Sequence, residues 1–276
     1  MSVKFLAMSV LMLVNSKAWS QVQKTGAQAA QSRQEYCAQS ENPDYFRSLF
    51  YSQQNLIPFT NVGGIMNLGV CWWHSMLTRN IQYLSVYRPE LPKPSESEVL
   101  ILLNQLVSNR GVVEIPGYRN FSELARSHSG IVQKVLEQWQ IADGALGLGF
   151  LRGISGSDRV SPAELKKMMD ETFQFVRGKK RVAYQMLQAK GLLAHAWLVV
   201  DMTKTGNGYN LDVVDSNRFG IRQVIYQEGM DQLSEYQSVP YTSRNFVDYS
   251  GYSLARDRYC RLGLTATDTD ADLHRN

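Results

Sequence analysis

Of the three cysteines in the chain, Cys71 lies where a cysteine can act as a nucleophile. A thiol attacks a carbonyl group as the thiolate, and the partial positive charge at a helix N-terminus stabilises that anion. Apolar residues recur at helical spacing from Cys71 to Tyr87, and the glycine-containing segment NVGGIMNLG precedes them. Cys71 is therefore predicted to begin a helix. The alternative interpretation is a small buried residue beside two tryptophans.

A candidate general base, His195, lies in AHAWLVVDM, whose alternation predicts a strand. The next predicted strand, YNLDVVDS, contains Asp215, and Asn217 follows two residues later. A hairpin between these strands would bring a carboxylate or an amide beside His195 and so orient its imidazole. Both residues have the same strand parity, and Asp215 is preferred because an ionised partner better stabilises an imidazolium. A purely structural strand histidine is the alternative.

Attack on a carbonyl group creates an oxyanion, which needs hydrogen-bond donors. The loop before the predicted helix offers Asn61 and Asn67, together with the Cys71 amide. Trp72 and Trp197 are candidates to line a substrate groove, although aromatic residues near a site more often pack in the core.

Helical and strand patterns occupy different parts of the chain. Capping boxes at Ser95–Glu98 and Ser161–Glu164 mark two helix starts. Helices are predicted over about 71–87, 95–109, 122–140 and 161–176, and residues 144–156, with five glycines, are predicted to be a loop. Beyond residue 180, four short runs rich in Val, Ile, Tyr and Leu predict consecutive antiparallel strands. This order indicates an α+β fold with segregated layers.

The N-terminal residues 1–20 are predicted to be a cleavable signal peptide. Lys4 precedes the apolar run Phe5–Val14, which is too short to span a bilayer, and small residues precede the expected cleavage ahead of Gln21. We therefore expect a secreted or periplasmic protein without stable membrane insertion. An odd number of cysteines in an exported chain suggests one disulfide and one free thiol. Cys37 and Cys260 are predicted to pair, leaving Cys71 free.

Charge and composition give no sign of a nucleic-acid partner. The formal net charge is +4, and basic residues are scattered, with no run longer than Lys179–Arg181. His74 forms half of a zinc motif with Cys71, but no second Cys/His pair completes it, so no metal is predicted. No cofactor is expected, and no oligomeric state is predicted.

Three motifs resemble the papain-like cysteine protease superfamily. Gly69–Trp72 (GVCW) is similar to its Gly-x-Cys-Trp nucleophile motif, and Ala194–Ala196 (AHA) is similar to its His-Ala motif. Asp215–Asn217 (DSN) resembles the orienting motif of divergent bacterial members of the YopT type, where the aspartate orients the histidine. The resemblance implies an N-terminal helical lobe that carries the nucleophile helix, packed against a C-terminal antiparallel sheet, with substrate bound between them.

Two features depart from the family pattern. Ile65 occupies the position of the usual glutamine, six residues before Cys71, so the oxyanion donor stays open among the two asparagines and the backbone. Asn217 is followed by Arg218 and Phe219 and not by Ser-Trp.

The expected protein is an exported cysteine hydrolase that cleaves a peptide or amide bond of a protein or peptide substrate through an acyl-enzyme intermediate. The alternatives are a cell-envelope (peptidoglycan) amidase and a secreted non-catalytic binding module or inactive relative with the same fold. Deamidase and transglutaminase chemistry also use this triad. The predicted organisation is a tether over 21–35, a papain-like catalytic domain over 36–264 and a disordered acidic tail over 265–276.

Overall fold

All the helices of the described residues except the last precede the large sheet along the chain, which confirms the predicted α+β class. The computed structural model describes residues 24–64, 69–147, 157–189, 193–240 and 249–268. The helices are α1 (Arg33–Ala38), α2 (Pro43–Leu49), α3 (Cys71–Leu84), α4 (Glu96–Ser108), α5 (Phe121–Ser127), α6 (Ser129–Gly147), α7 (Pro162–Phe173) and α8 (Ser250–Asp257). The strands are β1 (Ser85–Arg88), β2 (Val113–Pro116), β3 (Ala183–Ala189), β4 (Leu193–Thr205), β5 (Gly208–Asp215), β6 (Ile221–Gln227) and β7 (Ser238–Pro240).

The large sheet contains five antiparallel strands in the order β6-β5-β4-β3-β7. The four long strands lie over the runs rich in Val, Ile, Tyr and Leu that predict them. β6 alternates between buried and exposed residues, whereas β3 and β5 are buried at almost every position. Strand β7 was not predicted, because its three residues are too few to show an alternation of apolar and polar side chains. Its position matters because β3 pairs with β7 on one side and with the His195 segment of β4 on the other.

Local signals placed two helix starts correctly. Ser95 caps α4 in a reciprocal capping box with Glu98, and Ser161 caps α7 by accepting a hydrogen bond from the Glu164 amide. Each cap satisfies amides that have no partner inside the helix.

The predicted helix from Cys71 to Tyr87 is too long. It ends at Leu84, where Ser85 adopts an extended conformation, and Ser85–Arg88 pairs in parallel with Val113–Pro116. The buried Val86 and Tyr87 favour strand geometry, and helical spacing alone did not separate the two elements.

The helix predicted over 122–140 is two helices. His128 breaks it with φ −134° and ψ 38°, so α5 ends at Ser127 and α6 begins at Ser129. Helix α6 also continues to Gly147, into the segment predicted to be a loop. A helical glycine costs only about 1 kcal/mol, which the surrounding alanines and leucines offset. The rest of that segment, 148–156, lies outside the described residues.

Helix α3 is the central helix of the fold, and twelve of its fourteen residues are buried. Buried polar groups need partners, and several on α3 reach other elements. Asn80 Nδ2 donates to Leu106 O at 2.8 Å, and Gln82 Nε2 donates to Asn55 O at 2.7 Å. These bonds fix the position of the helix that carries Cys71. Within the described residues, no helix is both long and apolar enough to cross a membrane.

The segment predicted to be a flexible tether packs on the domain from residue 24 onward. Ala29 and Ala30 are buried, Tyr87 N donates to Ala30 O at 2.9 Å, and α1 begins at Arg33. Lys24 forms ion pairs with carboxylates on the sheet. The prediction of a flexible tether is wrong. The polar composition of this segment does not show that Lys24 pairs with buried carboxylates of the sheet.

The predicted disulfide between Cys37 and Cys260 is confirmed. It ties α1 to the chain just beyond α8. Residues 265–268 were predicted to be disordered, but Ala266 is buried and its N–H donates to Val112 O at 2.9 Å. The remainder of the predicted tail and the predicted signal peptide lie outside the described residues.

Candidate active site

Helix α3 is held against β4 at the segment that carries His195. The Cys71 thiol donates to Ala194 O at 3.8 Å, and Ser75 Oγ donates to Ala196 O at 3.1 Å. Four helical residues span about 6 Å and two strand residues about 6.7 Å, so both contacts form together. The nucleophile candidate, the first residue of α3, is thereby placed beside the strand histidine.

The strand pairing also places His195 beside Asp215. Trp197 pairs with Asp215 in the register of β4 and β5, so His195 is the diagonal neighbour of the carboxylate on the same face. His195 Nε2 lies 2.8 Å from Asp215 Oδ1, and both side chains are buried. Because Nε2 is hydrogen-bonded to Asp215, Nδ1 is the ring nitrogen that remains for an interaction with Cys71.

These contacts favour a charged imidazole. Burial lowers the pKa of His195, but its interactions with the neighbouring Asp215 and Cys71 outweigh burial and raise the pKa to about 9. His195 therefore carries a proton at neutral pH. A protonated imidazole beside a thiol is the charge arrangement of an activated cysteine nucleophile.

Asp215 is held by three donors. Oδ1 accepts from His195 Nε2 and from the Asn217 amide at 2.9 Å, and Oδ2 accepts from the Tyr236 hydroxyl at 2.5 Å. Burial raises the pKa of this carboxyl group, but the His195 interactions and the other donors outweigh burial and lower the pKa. The orienting group is thus an ionised, fully bonded carboxylate.

Asn217, the second candidate for orienting His195, does not contact it. Strand β5 ends at Asp215, and the Asn217 amide turns back to the Asp215 carboxylate in an Asx-type turn. This turn removes Asn217 from the strand register in which it would have faced His195. Its exposed side chain instead contacts Asn61 and Tyr236.

Asn61, predicted as an oxyanion donor, connects two loops. Its backbone N–H donates to Ser216 O at 2.7 Å, its Oδ1 accepts from the Val70 amide, and its Nδ2 donates to Asn217 Oδ1 at 3.1 Å. Gly69 has a φ of +86°, and a Cβ there would lie 2.4 Å from Asn61 Nδ2. The loop before Cys71 therefore requires glycine at this position. The other oxyanion candidate, Asn67, lies outside the described residues.

Tyr236 is the site residue that sequence reasoning missed. Its ring centroid is 4.6 Å from that of His195, and its hydroxyl donates to Asp215. Tyr236 and Gln237 have φ of 58° and 44°, a left-handed conformation that costs a non-glycine residue about 1 kcal/mol or more. Such strain concentrates at functional sites. Tyr236 lies in a short turn whose residues show neither helical nor strand periodicity, so the sequence did not indicate it as a site residue.

The predicted groove tryptophans differ. Trp197 is wrong as a groove residue, because its ring is fully buried and its Nε1 donates to Gln185 Oε1 at 2.8 Å. Trp72 is half-buried, with its ring 5.9 Å from that of Trp73. His74 is buried, its Nε2 lies 3.2 Å from Phe59 O, and burial lowers its pKa to about 4.

The described residues contain no group of three or more His, Cys, Asp or Glu side chains placed to hold a metal ion. Comparisons of this chain with family models, curated proteins and solved structures gave no match. The chemistry of the site therefore rests on its geometry. A cysteine at a helix start, a protonated histidine and an ionised aspartate together suit nucleophilic acyl transfer.

Proposed function

We propose that this protein is an exported cysteine hydrolase of the papain-like type that cleaves a peptide or amide bond. The observation that carries the proposal is the placement of three residues: Cys71 begins α3 and contacts β4 at Ala194, His195 follows on β4, and its imidazole is hydrogen-bonded to Asp215 on β5. Each member lies at a rigid element or its end, as a preorganised catalytic site requires. The order of a helical segment followed by an antiparallel sheet fits the papain-like arrangement.

In the proposed reaction, the Cys71 thiolate attacks the carbonyl carbon of the substrate, and the developing oxyanion accepts hydrogen bonds from amides at the start of α3. The protonated His195 then gives its proton to the departing amine as the carbon–nitrogen bond breaks. This leaves an acyl group on Cys71 and a neutral imidazole. A water molecule attacks the thioester, His195 accepts its proton, and the acid product leaves with regeneration of the ion pair.

Export is part of the proposal and is supported by the disulfide. A bond between Cys37 and Cys260 forms and persists in an oxidising compartment, such as a periplasm or the extracellular medium. The same bond leaves Cys71 as the single thiol among the three cysteines. A thiol reagent applied to the folded, unreduced protein therefore has one target.

Covalent labelling tests the proposal. The folded protein, with its disulfide intact, is incubated at neutral pH with an epoxide inhibitor of the E-64 type, and the adduct is located by peptide mass spectrometry. We expect one adduct on Cys71 and none in Cys71→Ala. If the native thiol is inert and reacts with iodoacetamide only after denaturation, Cys71 is a structural residue, and the non-catalytic binding module becomes the better interpretation.

A further inference from the structure

The polar contacts around the candidate site form a connected series that runs from Asp215 to the loop before Cys71. The Tyr236 hydroxyl donates to Asp215 Oδ2, and Asn217 Nδ2 lies 3.3 Å from the same hydroxyl. Asn217 Oδ1 accepts from Asn61, which in turn accepts from the Val70 amide, immediately before Cys71. These hydrogen bonds therefore connect the Asp215 carboxylate with the loop that precedes Cys71 and α3.

We infer that Tyr236 is a positioning residue that holds the Asp215 carboxylate and covers the His195 imidazole, and that Asn217 and Asn61 connect it to the Cys71 loop. This inference rests on the proposed hydrolase function. Tyr236 acts through Asp215 and His195 and has no assigned contact with substrate.

The first argument concerns the carboxylate. Asp215 Oδ1 already accepts hydrogen bonds from His195 and from the Asn217 amide. The remaining rotation of the carboxylate is therefore fixed by the donor that binds Oδ2. Tyr236 is the donor at Oδ2. Burial and the hydrogen bond to Asp215 raise the pKa of Tyr236 to about 12, which keeps its hydroxyl protonated and donating throughout the working pH range.

The second argument concerns the backbone. Leu233 and Ser238 exchange hydrogen bonds of 2.7 and 3.1 Å across the turn, and Ser238 Oγ donates to Glu235 O at 2.8 Å. Beyond the turn, β7 pairs with β3 so that Pro240 lies opposite Leu187, which itself pairs with His195. The left-handed conformation of Tyr236 is thus fixed from both sides.

The third argument concerns solvent. The rings of Tyr236 and His195 are tilted by 51° at a centroid distance of 4.6 Å, and Tyr236 also lies against Trp197 at 6.5 Å. This aromatic cover lies over a buried hydrogen bond between charged groups. Excluding water strengthens such a bond, because the local dielectric is lower than that of water.

The test compares Tyr236→Phe with the matched control Tyr226→Phe. Tyr226 is fully buried in β6, and its hydroxyl has no hydrogen-bond partner in the part of the chain that the structure describes. The titration of His195 is followed by NMR in the folded protein, and the alkylation rate of Cys71 by iodoacetamide is measured over the same pH range. Both readouts are independent of the unknown substrate.

In Tyr236→Phe we expect the titration midpoint of His195 to fall by about one pH unit, which is a tenfold lower proton affinity. In Tyr226→Phe we expect the midpoint to stay at about 9. An unchanged midpoint would overturn the inference, and so would a rise, which would mean that the hydroxyl only withdraws charge from Asp215. If Tyr236→Phe does not fold, Asn217→Ala at its exposed position is measured instead, with the same direction expected. Wild-type protein that titrates as predicted but has an inert thiol would contradict the hydrolase proposal and not this one.

Discussion

Strands β4 and β5 carry buried carboxylates at two points along their pairing, and the two points differ in the cations that accompany the carboxylates. At the end of the pairing, Asp215 is paired with His195. Midway along it, Asp201 and Asp212 lie directly opposite each other, close to a bulge in β4, and form the Asp201 cluster. Like charges in this arrangement repel, so the Asp201 cluster needs cations that stay charged.

The Asp201 cluster has such cations. Lys24 bridges Asp201 and Asp212, and Asp201 also pairs with Arg47 at 3.4 Å and Arg177 at 3.0 Å. Burial raises the pKa of Asp201, but these cations outweigh burial and lower the pKa. Lysine and arginine do not release their protons near neutral pH. The cluster therefore stabilises the fold, and its cations do not act as acids or bases.

The His195 end is suited to chemistry for the opposite reason. An imidazole can lose its proton when its carboxylate partner is removed, whereas a guanidinium group cannot. Loss of the carboxylate should therefore cost mainly activity at Asp215 and mainly stability at Asp201. The two predictions below test this contrast, beginning with the larger effect.

Asp215→Asn should lower kcat for hydrolysis of a chromogenic peptide anilide by about a thousandfold, because the amide neither stabilises the imidazolium nor fixes its tautomer. Stability should fall, because the pairing that raises the pKa of His195 also stabilises the folded state, but by less than in an Asp201 variant, since His195 can become neutral and the amide retains an acceptor oxygen. Steady-state kinetics and guanidinium unfolding measure the two quantities. A stability loss as large as that of an Asp201 variant, with activity retained, would reverse the roles proposed for Asp215 and the Asp201 cluster.

Asp201→Asn should lower the free energy of unfolding by about 2 kcal/mol, because the cations gathered around a buried carboxylate lose their ionised partner. The loss is moderate because Arg47 keeps its pair with Asp44, and because Lys24 and Arg177 are partly exposed and their pairs are screened by solvent. Guanidinium unfolding measures the change. The rate at which the folded fraction reacts with the epoxide should match the wild type, and a large drop would mean that the Asp201 cluster also supports the active site.

How far the sequence predicts this molecule depends on how local each signal is. The capping box at Ser95, the strand alternation and the pairing of the two polar-context cysteines are local or compositional, and the structure confirms them. Cys71 and His195 were selected from their own segments, and the structure brings them together. Asp215 follows from pairing the neighbouring strand, although the sequence left Asn217 open because parity does not show where the strand ends.

Residues whose position depends on contacts with distant parts of the chain could not be predicted in this way. Tyr236 reaches the site from a turn between β6 and β7, and its left-handed backbone is unusual for tyrosine. Asn61 was selected for its donor group, but the structure uses that group to join two loops. Lys24 lies in a polar segment that resembles a linker, and only the buried aspartates explain its position. Each of these residues is determined by contacts with residues far away in sequence.

The most direct test of the proposed activation of Cys71 by His195 is the alkylation rate of the single thiol as a function of pH, in wild-type protein and in His195→Asn. We predict that wild-type Cys71 reacts with iodoacetamide at pH 6 at least about a hundredfold faster than the variant, because the imidazolium stabilises the thiolate. A second change should appear near pH 9, where His195 loses its proton. The variant has no imidazole beside the thiol, so the change near pH 9 should be absent from its profile. Identical profiles in the two proteins would contradict the account.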